Sequence, residues 1–339
     1  MATTVFSVVF GCFTCNAQTL GGQTAFNFIN TPNTAQLSAL GGANISSIGN
    51  NAALSFHNPA MLRSNMHKAI DASFNNYFAN IKQYNLHAAF FIDKPKLNVA
   101  AGLQFYNYGN LQETDVSGNI IGNFKPLDFC FQLQASKEVY KNWHLGTTIK
   151  FIQSQYAQFS SNAIAADVGF NYQSSNNLLQ IGFLVKNVGT VLKTFNNNPI
   201  KPELPFNIQV GITKRLGTSP FQLSLTGHQL QALSSFYNDT TFNNQIGASN
   251  NISTFQKISN RLILSTEIFF TDEFKFIAAY NFLRRQELNI INSTNGLNGW
   301  SFGLVVPIKK LQFHMATGFF QQNSYQQVSL QFNLADKGL

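Results

Sequence analysis

The stretch LNVAAGLQF, residues 97–105, decides the fold class of this 339-residue chain. Its odd-numbered residues are all apolar, whereas Asn98, Gly102 and Gln104 are among the even-numbered ones. Successive side chains of a β-strand point to opposite faces, so this alternation gives a surface that is apolar on one side and polar on the other. The pattern therefore indicates an amphipathic strand.

The same alternation recurs along most of the chain, which separates it from a chance match. Apolar rows of this kind run over 127–133, 206–212, 221–225 and 328–334. Each full row supplies about five outward side chains, in agreement with the ~9 to 11 residues that a tilted strand needs to cross a bilayer. We predict an all-β chain: a transmembrane antiparallel up-and-down β-barrel of about 14 strands, with its apolar rows facing lipid.

The composition supports a barrel and excludes a helical membrane protein. Charged residues make up only 11% of the chain, and the mean hydropathy is −0.06. No stretch reaches the ~18 consecutive apolar residues of a transmembrane helix. No linker rich in Pro or Ser divides the chain, so we expect one unit. A soluble β-sandwich also alternates, but it usually carries a more charged surface.

The chain has a net charge of +8. Its basic residues are scattered rather than clustered, so they do not form the footprint of a nucleic-acid-binding protein, and we expect no nucleic-acid partner. A basic protein beside an anionic membrane surface explains the charge more simply.

The first residues resemble a secretory signal peptide. An apolar run from Val5 to Phe13 is followed by small residues that suit cleavage after Ala17. We therefore predict a signal peptide over 1–17, an N-terminal plug over 18–67 and an outer-membrane barrel over 68–335. After cleavage only Cys130 of the three cysteines remains, so we expect no intrachain disulfide.

The connections between strands predict which rim of the barrel faces which compartment. In outer-membrane barrels tight periplasmic turns alternate with longer extracellular loops. The predicted short turns are Asp93–Lys96, Glu138–Asn142, Ser174–Asn177, Gly217–Pro220, Thr271–Glu273 and Pro307–Lys310. The predicted long connections are Gly109–Asn123, Ala157–Ser161, Thr190–Leu204, Gln229–Lys257, Arg284–Asn298 and Phe320–Tyr325.

Several charged residues fall on the polar, inward row of the predicted strands. Charges of both signs in one lumen can line a selective passage, or they can pair across it and pin its contents. Both interpretations stay open, and the second is favoured. These residues are Asp128, Lys150, Asp167, Lys186, Arg215, Glu267 and Lys275.

The segment before the strands has the character of a compact plug rather than a membrane strand. A short helical stretch from Ala35 ends at Leu40, Gly41 and Gly42, where glycines can adopt the positive φ that ends a helix. After a polar loop comes a turn at Asn58, Pro59 and Ala60. We take these two turns as the candidate plug residues.

This order of residues resembles a known group of barrels. The run Ala39–Ala43 followed by Asn58–Ala60 resembles the N-terminal region of FadL-like outer-membrane channels, and the longer agreement from Gly21 to Ala60 resembles their PorQ branch. That branch belongs to the Bacteroidetes type IX secretion system. The resemblance covers essentially the whole mature chain.

The resemblance implies a 14-stranded barrel whose N-terminal segment fills the lumen from the periplasmic side. It further implies a non-enzymatic anchor in the outer membrane for a cell-surface attachment complex, which processes secreted cargo and joins it to lipopolysaccharide. The implied partners are other type IX secretion components, outer-membrane lipid and lipopolysaccharide. The long outer loops would hold those partners.

Two transport functions remain as alternatives. A FadL-like channel would take up hydrophobic small molecules, with the plug as gate and an apolar pocket just inside the outer rim. A general diffusion porin would require an open lumen with a constriction. An enzyme is not expected, because the six histidines are dispersed and none has a metal-ligand spacing. We therefore predict no catalytic residue, metal or cofactor.

Overall fold

The computed structural model describes residues 24–196, 199–233, 253–288, 296–320 and 323–334. The predicted signal peptide, residues 1–17, lies outside these ranges. No helix among the described residues is long and apolar enough to span a membrane.

Fourteen antiparallel strands form one closed barrel, which confirms the predicted fold class and strand number. Each strand pairs with its neighbours in the chain, and the last strand closes the ring on the first, with Ala69 opposite Asn333. The barrel strands are β1 (Ala69–Asn76), β2 (Lys82–Ile92), β3 (Leu97–Asn107), β6 (Leu127–Tyr140), β7 (Trp143–Tyr156), β8 (Phe159–Gln173), β9 (Leu179–Lys193), β10 (Asn207–Arg215), β11 (Phe221–Gly227), β12 (Leu262–Phe269), β13 (Lys275–Asn281), β14 (Trp300–Ile308), β15 (Leu311–Phe320) and β16 (Asn323–Asn333).

The remaining elements are short. β4 (Leu111–Thr114) and β5 (Ile120–Phe124) form a separate hairpin between β3 and β6. The helices are α1 (Ala35–Ala39), α2 (Thr254–Ser259) and α3 (Phe282–Glu287). Turns of 3₁₀-helix lie at Asn27–Asn30, Ala52–Phe56, Pro59–Met61, Ser64–Met66, Phe78–Asn80 and Leu230–Ala232.

The two faces of the barrel wall differ as the alternation predicts. On β7 the outward Ile149 is 70% exposed, while the next residue, the inward Lys150, is only 3% exposed. Outward apolar side chains such as Leu86 and Leu133 are similarly exposed. An outer face this apolar is the surface that a bilayer covers, and the inward face is polar, as in membrane barrels.

The wall is taller on one side than on the other. Strands β6 to β9 have 14 or 15 residues each, whereas β10 to β14 have 7 to 9. We call these the tall side and the low side. Two long connections, 228–261 and 282–299, follow the strands of the low side.

Two predicted long connections are wrong. Only Ala157 and Gln158 lie between β7 and β8, and β16 begins at Asn323, three positions after the last residue of β15. The strict alternation of short turns and long loops therefore fails at these two places. Strand pairing continues there through polar residues such as Ser160 and Ser161, which pair with β7. Sequence alone assigns such polar residues to loops, because they lack an apolar partner row.

Most predicted short turns lie where expected, although strands extend into two of them. Asp93–Lys96 is a turn between β2 and β3. β6 continues to Tyr140 and β14 to Ile308, so the turns in these places are shorter than predicted. The predicted connection Gly109–Asn123 contains the β4–β5 hairpin, and β9 occupies the start of Thr190–Leu204.

The N-terminal segment runs through the lumen from one rim to the other. Thr24 bridges to Glu203 at the long-loop rim, and the Nδ1 atom of His67 accepts a hydrogen bond of 3.0 Å from the backbone of Phe91 near the short-turn rim. Between them, α1 packs on β13 to β16, and the Pro59–Met61 turn packs on β6 to β8. We call residues 24–67 the plug. It fills the whole depth of the lumen, not only one end.

Candidate functional site

The first predicted plug turn ends α1. Leu40 is completely buried, and Gly41 and Gly42 have φ values of 88° and 97°, which L side chains rarely adopt. The backbone N–H of Gly42 donates to the carbonyl of Leu37. The carbonyl of Gly41 accepts from Asn281 at 3.0 Å. This turn therefore joins the plug to the end of β13.

The second predicted turn is held by the side chain of its first residue. Asn58 is completely buried; its Oδ1 accepts from the backbone N–H of Ala60 at 3.1 Å, and its Nδ2 donates to the carbonyl of Ile45 at 2.9 Å. Pro59 supplies the fixed φ that suits the first residue of a helical turn. Arg63 follows and donates to Asn171 on β8 at 2.7 Å.

Four inward glycines lie against the plug, two of them against this turn, and none was predicted from the sequence. Gly146 and Gly169 lie opposite each other on β7 and β8, and Gly182 and Gly211 do so on β9 and β10. A Cβ at Gly146 would lie 2.2 Å from the backbone N of Ala60. Glycines inside strands often mark a close backbone approach, and this signal could have located the seat.

A Cβ at the other three glycines would also meet the plug. At Gly169 it would lie 2.3 Å from Asn58 Oδ1, and at Gly182 it would lie 2.4 Å from the carbonyl of Ile45. At Gly211 it would lie 2.9 Å from atoms of Ile45 and Ser46. We call Gly146, Gly169, Gly182 and Gly211 the glycine seat.

Replacing Asn58 by Ala should loosen the plug without breaking the barrel. The substitution removes two hydrogen bonds and leaves the carbonyl of Ile45 without this donor. The loss of a buried hydrogen bond costs about 1–3 kcal/mol. We expect the plug to be released at a lower urea concentration than in the parent. Protease cleavage within the plug measures this release. Asn65→Ala is the matched control, because Asn65 is exposed, and an equal shift in both variants would contradict this role of Asn58.

The predicted lumen charges form separate clusters rather than one lining. On the tall side Lys150 pairs with Asp167 across β7 and β8 at 2.6 Å. Lys150 also donates to Asn187 at 2.8 Å. Asn187 lies at a bulge of β9, and its backbone N–H donates to Asp167 at 2.8 Å. Nζ of Lys186 lies 3.1 Å from Nδ1 of His57 in the plug.

The remaining charges lie elsewhere. Glu267 and Lys275 form a buried ion pair, and Ser47 of the plug donates to Glu267 at 3.1 Å. Asp128 accepts from Tyr108 and, at 3.3 Å, from Tyr156. Arg215 lies at the rim, half-buried, 3.5 Å from Asp272. Because Lys186 and Glu267 contact the plug directly, these contacts favour the structural interpretation over a selectivity lining.

His57 is the plug residue most closely tied to these charges. Its Nε2 lies 3.0 Å from the side-chain oxygen of Gln209. Burial, followed by the positive charge of Lys186, holds the pKa of His57 well below its usual value. The imidazole is therefore neutral near pH 7, so one ring nitrogen can accept from Lys186 while the other donates to Gln209.

The lumen becomes apolar on the tall side near the long-loop rim. Inward residues here include Cys130 and Ile152, and three side chains of the plug, Phe26, Phe28 and Ile29, pack against them. Phe28 makes an edge contact with the ring of Tyr106, at 5.7 Å between centroids. We call the residues of this cluster that lie outside the plug, and that the three plug side chains cover, the apolar pocket. Its remaining buried members are Tyr106, Ala163, Ala165, Val191 and Leu204.

The described residues line two cavities beside the plug. One of about 590 Å³ lies at the short-turn rim, where Asn51 and Arg63 of the plug, Arg215 at the end of β10 and Asp272 of the turn after β12 line it. The other, of about 200 Å³, lies near the long-loop rim beside Gly41 and Gly42. Among the described residues, no group of three or more His, Cys, Asp or Glu is arranged to hold a metal ion.

Solved channel structures share this architecture. The toluene transporter TodX of Pseudomonas putida is 12% identical, with a TM-score of 0.50 over 89% of this chain and 97% of that one. This chain therefore shares the barrel fold of that transporter. A TodX mutant described as a deltaS2S3 monoaromatic hydrocarbon channel is 9% identical, with a TM-score of 0.52 over 88% and 97%. The deltaS2 mutant is 12% identical, with a TM-score of 0.52 over 90% and 98%.

Identities this low establish the fold alone. No family model and no curated protein matched the sequence. The channel-type barrel fold that the resemblance implies is therefore confirmed, whereas the FadL-like group and its PorQ branch stay predictions.

Proposed function

We propose that this chain is an outer-membrane barrel that passes hydrophobic small molecules, with the plug as its gate. The apolar pocket carries this proposal, because the lumen of an ordinary membrane barrel is polar. It lies just inside the long-loop rim, where a FadL-like channel requires one. The barrel fold shared with a toluene transporter supports the same function.

In the described structure the plug itself occupies the apolar pocket. Phe26, Phe28 and Ile29 are each more than nine-tenths buried there. An incoming apolar molecule would have to displace these side chains. The apolar surface that it buries would offset the apolar surface that they expose. Ligand binding and plug movement are therefore coupled. A ligand that binds only when the plug has left the pocket shifts the equilibrium towards the displaced plug.

Emptying the apolar pocket should increase ligand binding. We expect the double variant Phe26→Ala/Phe28→Ala to bind a fluorescent apolar probe, 1-N-phenylnaphthylamine, several-fold more tightly than the parent in detergent, and to speed toluene entry into proteoliposomes. Phe90→Ala is the control, because Phe90 faces outward and is 47% exposed. Unchanged probe binding in the double variant would contradict a gated apolar pocket.

A second function is the surface anchor of the type IX secretion system. The ion pairs and the glycine seat that hold the plug across the lumen suit a sealed barrel. The β4–β5 hairpin also exposes apolar side chains that a partner could cover, including Val116, Ile120 and Ile121. The partners proposed are other type IX secretion components, outer-membrane lipid and lipopolysaccharide.

Affinity purification separates the two functions. Retention of a surface protease and its partners, without toluene entry into proteoliposomes, would support the anchor and contradict the channel. Deletion of 111–124 and of 229–257 then tests which loop holds the partner. The second segment falls mostly outside the described residues.

A further inference from the structure

The smaller cavity lies on the low side of the barrel, between the plug and α3. Its volume is about 200 Å³, room for about six or seven water molecules at ~30 Å³ each. Its lining residues include the Gly41–Gly42 turn and His57 of the plug, Gln209 of β10, and His228 and Arg284. Its lining mixes polar and apolar residues and shares no residue with the apolar pocket.

His228 contributes a polar atom with no partner in the described part of the chain. The side chain is only 7% exposed, and its Nε2 has no hydrogen bond. Burial, with the charges of Arg261 and Arg284, lowers the pKa of His228 to about 4. A buried neutral imidazole has a donor and an acceptor to satisfy, and leaving one unmet is costly. This nitrogen therefore points to a ligand.

Arg284 is fixed at the wall of the same cavity. Its guanidinium donates to Ser301 at 3.1 Å and to the carbonyl of Gly41 at 3.3 Å. It also lies 5.5 Å from the centre of the Phe320 ring. A guanidinium has five donors in a planar fork, so these contacts orient the group while leaving it donors for an oxyanion.

The charges around the cavity favour an anion. Arg261 lies nearby and donates to Gln229 at 2.6 Å, and Lys186 stands behind His57 at 3.1 Å. Glu287 is the one acidic residue among the described lining residues, and its carboxylate interacts electrostatically with both Arg261 and Arg284. The two guanidinium groups and this one carboxylate leave a net charge of +1 beside the cavity.

We propose that this cavity binds a small oxyanion, a carboxylate or a phosphate, between Arg284 and His228. The anion accepts from the guanidinium and from the imidazole N–H. Because Arg284 also holds the carbonyl of Gly41, the bound anion stabilises the contact between the plug and α3. This site goes beyond the proposed transport function and does not depend on it.

Isothermal titration of the full-length protein in detergent tests the site, with sodium phosphate and sodium acetate as probes and sodium chloride as reference. We expect saturable binding of at least one oxyanion. The probe that binds more tightly shows whether the site prefers a phosphate or a carboxylate. Arg284→Gln should weaken binding at least tenfold. Arg285→Gln, a change at the next residue of α3 that does not line the cavity, should leave binding unchanged.

Heat-modifiable migration on a gel shows whether each variant is folded. His228→Phe provides a second variant in case Arg284→Gln does not fold. The phenyl ring removes the nitrogen, so binding should be lost. Absence of saturable binding in the parent protein, retained binding in His228→Phe, or equal weakening by Arg285→Gln would each overturn the proposal. Because both probes lack an apolar part, this result is independent of the dye and toluene experiments.

Discussion

Gly146→Val should expel the plug and turn a closed barrel into a conducting one. The first added carbon would lie 2.2 Å from the backbone N of Ala60 and 2.3 Å from the backbone carbon of Pro59. Overpacking a tight core costs about 1–3 kcal/mol even where side chains can adjust. Here the neighbour is backbone, so the Asn58–Pro59–Ala60 turn must leave its seat.

Single-channel recording in planar bilayers measures this effect. We expect the parent protein to remain closed and Gly146→Val to show large, stable openings, with matching uptake of bulky antibiotics by cells. Thr147→Val is the control, because Thr147 is the neighbouring residue on the same strand and faces outward. A silent Gly146→Val variant that still migrates as a folded barrel would contradict the seat.

Lys150→Met should produce the largest loss of stability among single changes in the wall. It leaves Asp167, which is completely buried, without its ion-pair partner. Removing one member of a buried pair costs about 3–5 kcal/mol, because the remaining charge stays desolvated. Lys186 is the nearest other cation of this cluster, but it already lies against His57.

The double variant Lys150→Met/Asp167→Leu separates charge from packing. Since a buried pair can often be replaced by apolar residues at little cost, we expect the double variant to recover most of the lost stability. Urea unfolding in detergent, monitored by tryptophan fluorescence, gives the free energies of unfolding of the parent, of the single variants Lys150→Met and Asp167→Leu, and of the double variant. If the double variant loses as much unfolding free energy as the two single variants together, the two side chains are not energetically coupled.

The barrel could be predicted from sequence because its main signal is local. Alternation at 97–105 needs only the neighbouring residues and the two environments on either side of a strand. The plug turns could also be predicted from local sequence. Gly41 and Gly42 suit the positive φ at the end of a helix, and Pro59 suits the first residue of a helical turn.

The rest depended on contacts between distant parts of the chain. Gly146 and Gly169 matter because the plug turn reaches them from about a hundred residues away, and no local pattern shows this. Cys130 falls on the polar row, yet it packs with Ile152 in the apolar pocket, because the plug brings apolar side chains to that height of the lumen. The loop errors at Ala157 and Phe320 have another cause, since strands that continue above the bilayer lose the apolar row that identifies them.

The passage of the plug from rim to rim constrains the order of biogenesis. β1 begins at Ala69, directly after the plug, and its partner β16 comes from the opposite end of the chain. The ring cannot close until β16 has been synthesised, and the plug, which precedes β1 in the chain, is available before that step. We infer that pairing of β1 with β16 encloses the plug, rather than that the plug docks into a finished barrel. The machinery that inserts the barrel would then handle the plug and the strands as one substrate.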